Sequence, residues 1–286
     1  MILNQNVLLG YNDYTHSGTI FSSDNAGAAG YPIANVLNVD LFTPFIATNN
    51  LPQGFTVDIG SVKPIDIVAF LKHNIVTQGF VRVTIADDIG MQYDSGMVPV
   101  TPFLADFGAL PWGQFTWGQT TSQIQLLNYN QHTFIPLPQT VFGRYISFTI
   151  NCPSNPSPIL VSRVWASVGY QPTFNADYGS GVIPIDETIV FKAFSGTRHY
   201  GQRVQRRALS LNFSSLPMRE MMYNIVGGLM LNGGVSDPVV CMLMPLDTTM
   251  MGIQSVYGNI QAMQEIDHVS FGQAQNKSPI VIEEQV

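Results

Sequence analysis

A chain of 286 residues makes one large or two medium domains, long enough to bury a core without disulfide or metal staples. Charged residues make up only 11% beside an ordinary hydrophobic share of 45%, which fits a protein covered by protein neighbours and does not fit a free monomeric cytosolic enzyme. The net charge of −7, with no basic stripe, argues against nucleic acid as the main partner.

From the N-terminus, "MILNQNVLLGYNDY" lacks the basic start and long apolar core of a secretion signal. No apolar run in the chain approaches a membrane span. Period-two alternation then begins. "GFTVDIG" sets Phe55, Val57 and Ile59 on one face, and a turn and a second strand follow, ending at Lys72-His73-Asn74. "FVRVTIAD" turns Val81, Val83 and Ile85 inward, with Arg82 and Thr84 outward. A long insertion, "TPFLADFGALPWGQFTWGQTTSQ", carries the short repeat "WGQFTWGQ". Its aromatic residues are costly to leave in water, so a partner or the protein's own surface is expected to cover it. "RYISFTIN" sets Ile146, Phe148 and Ile150 against Tyr145, Ser147 and Thr149, and "ILVSRVWASVGY" follows the breaker "CPSNPSP". These strands predict a β-sandwich over residues 1–172.

The Pro/Gly/Ser/Asn stretch "QPTFNADYGSGVIP" marks a linker, placed at 173–184. Residues 185–286 then read as a smaller β-rich domain. "TIVFKAF" and "RRALSLNF" alternate, with Leu209, Leu211 and Phe213 on one face. One helix is predicted at about 216–231, capped by Ser215, with Pro217 in its first turn and Asn232-Gly233 at its end. Met218, Met221, Met222 and Ile225 make its apolar stripe, and "VVCMLMP" and "IDHVSFG" add strands. The predicted fold class is therefore mostly β: a β-sandwich followed by a smaller β-rich domain with one packed helix.

Chemistry is hard to find in this pattern. The histidines (16, 73, 132, 199 and 268) are scattered, and the G-x-S-x-G, H-E-x-x-H, Walker and dinucleotide patterns are absent. His73 and Asn74 are expected to lock a strand exit by hydrogen bonds. The acid pairs Asp87-Asp88 and Asp186-Glu187 lack a calcium-loop pattern and read as turn-forming or solvated. Cys152 and Cys241 lie far apart without C-x-x-C spacing, so they indicate neither a disulfide framework nor a zinc site, and a single bridge between them stays open. No catalytic residue, cofactor or metal is predicted. Two features suit protein contacts instead. Arg198, Arg203, Arg206 and Arg207 are four of the eight arginines within ten residues, and nine of the twelve methionines lie between Met218 and Met263. A solvated face is the alternative for the arginines, and core filling accounts for the helix methionines.

The stretch "YPIANVLNVDLFTPFIATNNLPQGFTVDIGSVKPIDIVAFLKHNI" resembles the opening of discoidin-like (galactose-binding-like) domains in tailed-phage structural proteins. The matching elements are Ala34-Asn35-Val36-Leu37, Val57-Asp58-Ile59-Gly60 and His73-Asn74. "GRYISFTI" is similar to a late strand of the same domain. "GQRVQRRALSLNFSSLPMREM", "PVVCMLMP" and "VIEE" are similar to the companion domain of phage tail-tip proteins.

The resemblance implies a galactose-binding-like jelly roll with Asn35, Asp58, Gly60, His73 and Asn74 as framework residues. It also implies a tail-tip or baseplate component of the virion, assembled as a symmetric oligomer with itself and other tail proteins. Such a protein would be made in the host cytoplasm without a signal peptide, with no membrane insertion and no enzyme activity. The expected contact residues are Trp112, Phe115 and Trp117 in the insertion, with Arg203, Arg206 and Arg207. The arginines would meet the acidic end "VIEEQV" of a neighbouring subunit. The alternative is a carbohydrate-binding module for host surface polysaccharide, with the same tryptophans as the stacking platform.

Overall fold

The computed structural model describes residues 1–75, 79–100, 132–201, 205–231, 233–248, 251–262, 265–270, 273–276 and 279–285. The chain is mostly β. It opens with β1 (Leu8–Tyr11), β2 (Thr19–Ser23), the short pair β3 (Gly27–Ala28) and β4 (Tyr31–Pro32), a 3-10 turn over Ile33–Leu37, and β5 (Phe45–Ile46). Next come β6 (Gln53–His73), β7 (Phe80–Ala86), β8 (Met91–Asp94), β9 (Val98–Pro99), β10 (Thr133–Asn151) and β11 (Leu160–Tyr170). The second unit holds β12 (Gly181–Ile185), β13 (Ile189–Lys192), β14 (Arg198–Gly201), β15 (Arg206–Leu211) and β16 (Leu216–Pro217). Then follow a helix, β17 (Val239–Met242), a helical turn over Met251–Gln254, β18 (Ser255–Ile260), β19 (Ile266–Ser270), β20 (Gln273–Asn276) and β21 (Ile280–Glu284).

The sandwich is wound from two long strands. Alternation predicted two strands and a turn between Phe55 and His73; the structure holds them as one 21-residue strand, β6. Gly60, at φ +83°, supplies the left-handed residue where β6 bends from one layer to the other. Its first half pairs with β2 and the end of β10, and β10 continues to β7. Its second half pairs with β11 and the start of β10. Between the layers lies a core that includes Phe55, Val57, Phe70, Val83, Phe148 and Val164.

The second layer does not stop at the sandwich edge. β1 pairs with β11 on one side and with β17 on the other, so the sheet runs on through β18, β21, β15 and β12. Successive residues of these strands therefore serve different cores. Leu9, Cys241 and Val256 face the core of the second unit, which also holds Leu209, Phe213 and Ile282. Leu8, Val240, Met242 and Tyr257 face a third core with Ile67, Ala69, Leu71, Phe134 and Trp165 of the sandwich. That third core joins the units. It also explains the run Ile65–Leu71: a strand buried on both faces is apolar almost throughout instead of alternating.

The helix departs from its prediction. It starts at Met218 with Pro217 as the N-cap residue and no side-chain cap, because Leu216–Pro217 is a strand paired with β20. After one α-turn, Met218–Glu220, it continues as a π-helix, Met221–Leu231. The wider i→i+5 turn spaces the inner face about four residues apart. Met221, Ile225, Leu229 and Met230 are buried as a result, while Met222 is exposed. Cys152 and Cys241 are free thiols buried in different cores.

The third core contains one cation. Arg163 is buried, pairs with Asp13, donates to the Tyr257 hydroxyl, and lies 5.3 Å from the Trp165 ring centre. Asp13 in turn accepts from the backbone N–H and the hydroxyl of Thr15, at 2.9 and 2.7 Å. Removing one member of such a pair leaves a buried charge without its counter-ion. Arg163→Ala is therefore expected to cost about 3–5 kcal/mol in urea unfolding. A loss under about 1 kcal/mol, the range of a surface pair, would contradict this account.

Candidate functional site

The residues expected to form a framework each close a loop. Asn35 donates from Nδ2 to the Pro44 carbonyl at 3.0 Å. Asp58 accepts from Gly60 N–H at 2.7 Å and takes the Arg144 guanidinium on both oxygens at 2.8 Å. Hydrogen bonding to Arg144 holds the Asp58 carboxyl below its ordinary range. Asn74 donates to Ser157 Oγ and the Pro158 carbonyl at 3.0 and 2.8 Å and accepts from Leu160 N–H at 2.8 Å.

His73 is buried with both ring nitrogens engaged. Nε2 sits 2.9 Å from Thr133 Oγ1, and Nδ1 accepts from Ile75 N–H at 3.3 Å. Thr133 Oγ1 donates to the Val100 carbonyl at 3.0 Å, so its lone pair receives the His73 Nε2–H of a neutral ring. Burial, and then the nearby His132, hold the His73 pKa down at about 3.

A second buried histidine ties the two units. His132 Nδ1 accepts from Lys72 N–H at 3.0 Å, which leaves Nε2–H directed at Glu284 Oε1, 3.5 Å away. Glu284 also takes Arg207 on both oxygens and accepts from Arg207 N–H at 3.0 Å. Burial pushes the Glu284 carboxyl up, but His132 and Arg207 outweigh it and hold the pKa at about 2.

This pairing corrects one expectation. Arg207 is buried and pairs with Glu284 of its own chain, not with the acidic end of a neighbour. β15 and β21 are adjacent antiparallel strands, and their register brings the two side chains together. Arg206 pairs with Glu187 and, at 2.9 Å, with Glu283. Arg203, Trp112, Phe115 and Trp117 lie outside the described residues.

The exposed feature that alternation did not reveal is the hairpin β13–β14. "TIVFKAF" alternates as a half-buried strand would, yet every residue of both strands is exposed, and the hairpin is a separate two-stranded sheet. Its turn is closed by Ala193 N–H to Thr197 O and Gly196 N–H to Ala193 O, both 2.8 Å, with Gly196 at φ +86°. Ile189 and Phe191 share one face with His199. Val190 and Lys192 share the other with Tyr200 and Arg198. An isolated two-stranded hairpin is at best marginally stable in water. This one also sets Lys192 directly opposite Arg198, a like-charge pair that weakens it. The sequence signal was present in those two cations, but only the pairing register makes them neighbours.

Two concave surfaces lie beside the helix. A cleft of about 210 Å³ is lined by Phe174, Asp177, Phe213 and Ser214. A more open groove of about 660 Å³ is lined by Thr173, Arg219, Glu220, Tyr223 and Asn224. Glu220 is held there by the Tyr170 hydroxyl and Thr173 N–H, both at 2.8 Å. Asp87 closes the β7–β8 turn by accepting from Ile89 and Gly90 N–H, both at 2.8 Å. Among the described residues no three His, Cys, Asp or Glu side chains gather as a metal site, and no helix is long and apolar enough to cross a membrane.

Neither a protein-family model nor a curated protein matches the sequence. Among solved structures, the chain is similar to chitosan-binding module 1 of a Paenibacillus sp. IK-5 chitosanase/glucanase. That likeness has 10% identity and TM-score 0.39, over 55% of this chain and 100% of the module. The family 32 carbohydrate-binding module of Clostridium perfringens NanJ, in complex with galactose, gives 9% identity and TM-score 0.39, over 57% and 99%. Another Clostridium perfringens family 32 module, in complex with GlcNAc-α-1,4-galactose, gives 17% identity and TM-score 0.36, over 55% and 94%.

The buried histidines and Glu284 set the response to acid. His73 binds a proton near pH 6.5 when unfolded but only near 3 when folded, so its share of stability is complete above pH 6.5 and lost as pH falls towards 3. Glu284 is depressed from 4.5 to about 2, so its share is present above pH 4.5 and lost as pH falls through about 2. Urea titrations are expected to show stability falling from pH 6.5 downward. His73→Gln should flatten the slope between pH 6.5 and 4.5, and Glu284→Gln the slope below 4.5. Slopes unchanged by either substitution would contradict the assignment.

Proposed function

We propose that the chain is a structural subunit of a tailed-phage virion, built into the tail tip or baseplate as a symmetric oligomer and working by protein–protein contact. The hairpin β13–β14 carries this reading. It exposes Ile189, Val190, Phe191, Phe194 and Tyr200 together, with Phe191 at 61%. A contiguous apolar projection of this kind marks an interaction surface. The charge-poor composition agrees, because neighbours would cover surface that charge does not solubilise. The tail-tip setting is supported by the sequence resemblance, whose framework residues lock loops of the sandwich here. On this reading the chain is not an enzyme, and its place is the virion.

A second reading, a carbohydrate-binding module for host surface polysaccharide, has the pair Trp112 and Trp117 behind it, since aromatic faces stack on sugar rings. The Clostridium perfringens modules with bound sugars belong to that class of chemistry.

Gold-labelled antibody against the protein is expected to mark the tail tip of purified particles in electron micrographs. Particles that carry no label would overturn the virion reading. Sub-millimolar binding of host polysaccharide by the purified chain, lost in Trp117→Ala, would establish the second reading in its place.

A further inference from the structure

We infer that copies of this chain associate head to tail, the hairpin β13–β14 of one copy docking on the β7–β8 edge of the next. The inference rests on the assembly reading and names the partner and the two faces. On the hairpin, Val190, Lys192, Arg198 and Tyr200 form one continuous face, apolar with two cations. Lys192 and Arg198 are the only formally charged residues between Ile189 and Gly201, so the hairpin is basic within a chain of net charge −7. Among the described residues neither has an ion-pair partner. Placed directly opposite each other, they repel until an anion comes between or over them. The hairpin is thus chemically incomplete on that face.

The complementary surface lies at the other end of the strand order. The hairpin is inserted between β12 and β15, while β8 ends the same sheet path at its far side. The turn leading into β8 presents Asp88, Ile89 and Met91, with Ile89 at 93% and Met91 at 65% exposure. Asp88 is exposed, and its one cation contact, Arg144 at 3.4 Å, is secondary because that guanidinium is already bound to Asp58 at 2.8 Å. Among the described residues β8 is an edge strand with an open side. An apolar tip beside a carboxylate, next to an open strand edge, matches an apolar hairpin with two cations.

Charge also decides the mode of association. Two hairpins face to face would bring four cations together, and two β7–β8 turns would bring acids together. Only the contact between unlike patches is attractive. A contact of that kind is heterologous and repeats from copy to copy, closing into a ring or continuing as a filament.

Light scattering on the full chain across a concentration series tests this. The wild type is expected to self-associate and to lose association in salt of about 0.5 M, which screens exposed pairs. Lys192→Glu with Arg198→Glu, and separately Asp88→Lys, should each weaken association by at least about tenfold, equivalent to about 1.4 kcal/mol. All three side chains are exposed, so the fold is not at risk. Mixing the two variants is the decisive arm. In an alternating chain every contact then joins an acidic patch to a basic one, so two weakly associating proteins should associate when combined. Val190→Ser with Tyr200→Ser, on the docking face and exposed, should abolish association in any mixture. A mixture no larger than its components, or variants that associate like the wild type, would overturn the inference while leaving assembly by another surface intact. A wild type that stays monomeric at all concentrations would overturn it as well. Labelling of tail tips would still decide the virion reading independently.

Discussion

The structure depends on a β-layer buried on both faces. Ile65–Leu71 of β6 and Val161–Ser167 of β11 lie between the sandwich core and the core shared with the second unit, and every residue of both runs is buried. Polar groups in such a layer are costly unless they are paired, and those of Asp66, Trp165 and the Arg163 terminal nitrogens are. Asp66 accepts from Thr140 at 2.6 Å and from Gly169 N–H at 2.9 Å, Trp165 donates to Ser167 at 2.9 Å, and Arg163 is bound by Asp13 and Tyr257. These paired polar groups, one of them the ion pair Arg163–Asp13, are thus a consequence of sandwiching one layer between two cores. Their energetic role is mainly negative: each is costly to break, and an apolar substitute of equal shape would serve stability as well.

The same constraint welds the two units. β1 is only four residues long, yet it is the ladder through which the sandwich sheet enters the second unit. The third core, with Trp165 and Tyr257 rings 5.6 Å apart, then covers the joint. His132 and Glu284 add an electrostatic seam across it. The hairpin is the opposite case. Its strand residues belong to none of the three cores, and all of them are exposed.

The fold class was legible in the sequence because one-sided strands alternate. Phe55, Val57 and Ile59, or Ile146, Phe148 and Ile150, announce their sheet and their inner face directly. Asn35 and Asp58 bind backbone groups near them in sequence, at Pro44 and Gly60, whereas Asn74 holds Pro158 and Leu160, more than eighty residues away, a pairing that local sequence does not record. Ile65–Leu71 was harder, because a strand buried on both faces loses its period and merges with what precedes it. The helix stripe shifted for a related reason: its period follows the turn, and the turn is wider than that of an α-helix.

A mostly β chain with several of its strands, and a composition poor in charge, follow from the residue order alone. Those properties reside in single residues and their near neighbours. Only the tertiary structure decided which arginine is spent and which is free to act. Arg207 and Glu284 are 77 residues apart and meet through the register of β15 with β21. Lys192 and Arg198 meet across a hairpin whose strand residues are all exposed. Charge pairing and exposure are properties of distance in space, and alternation along the chain carries no record of them.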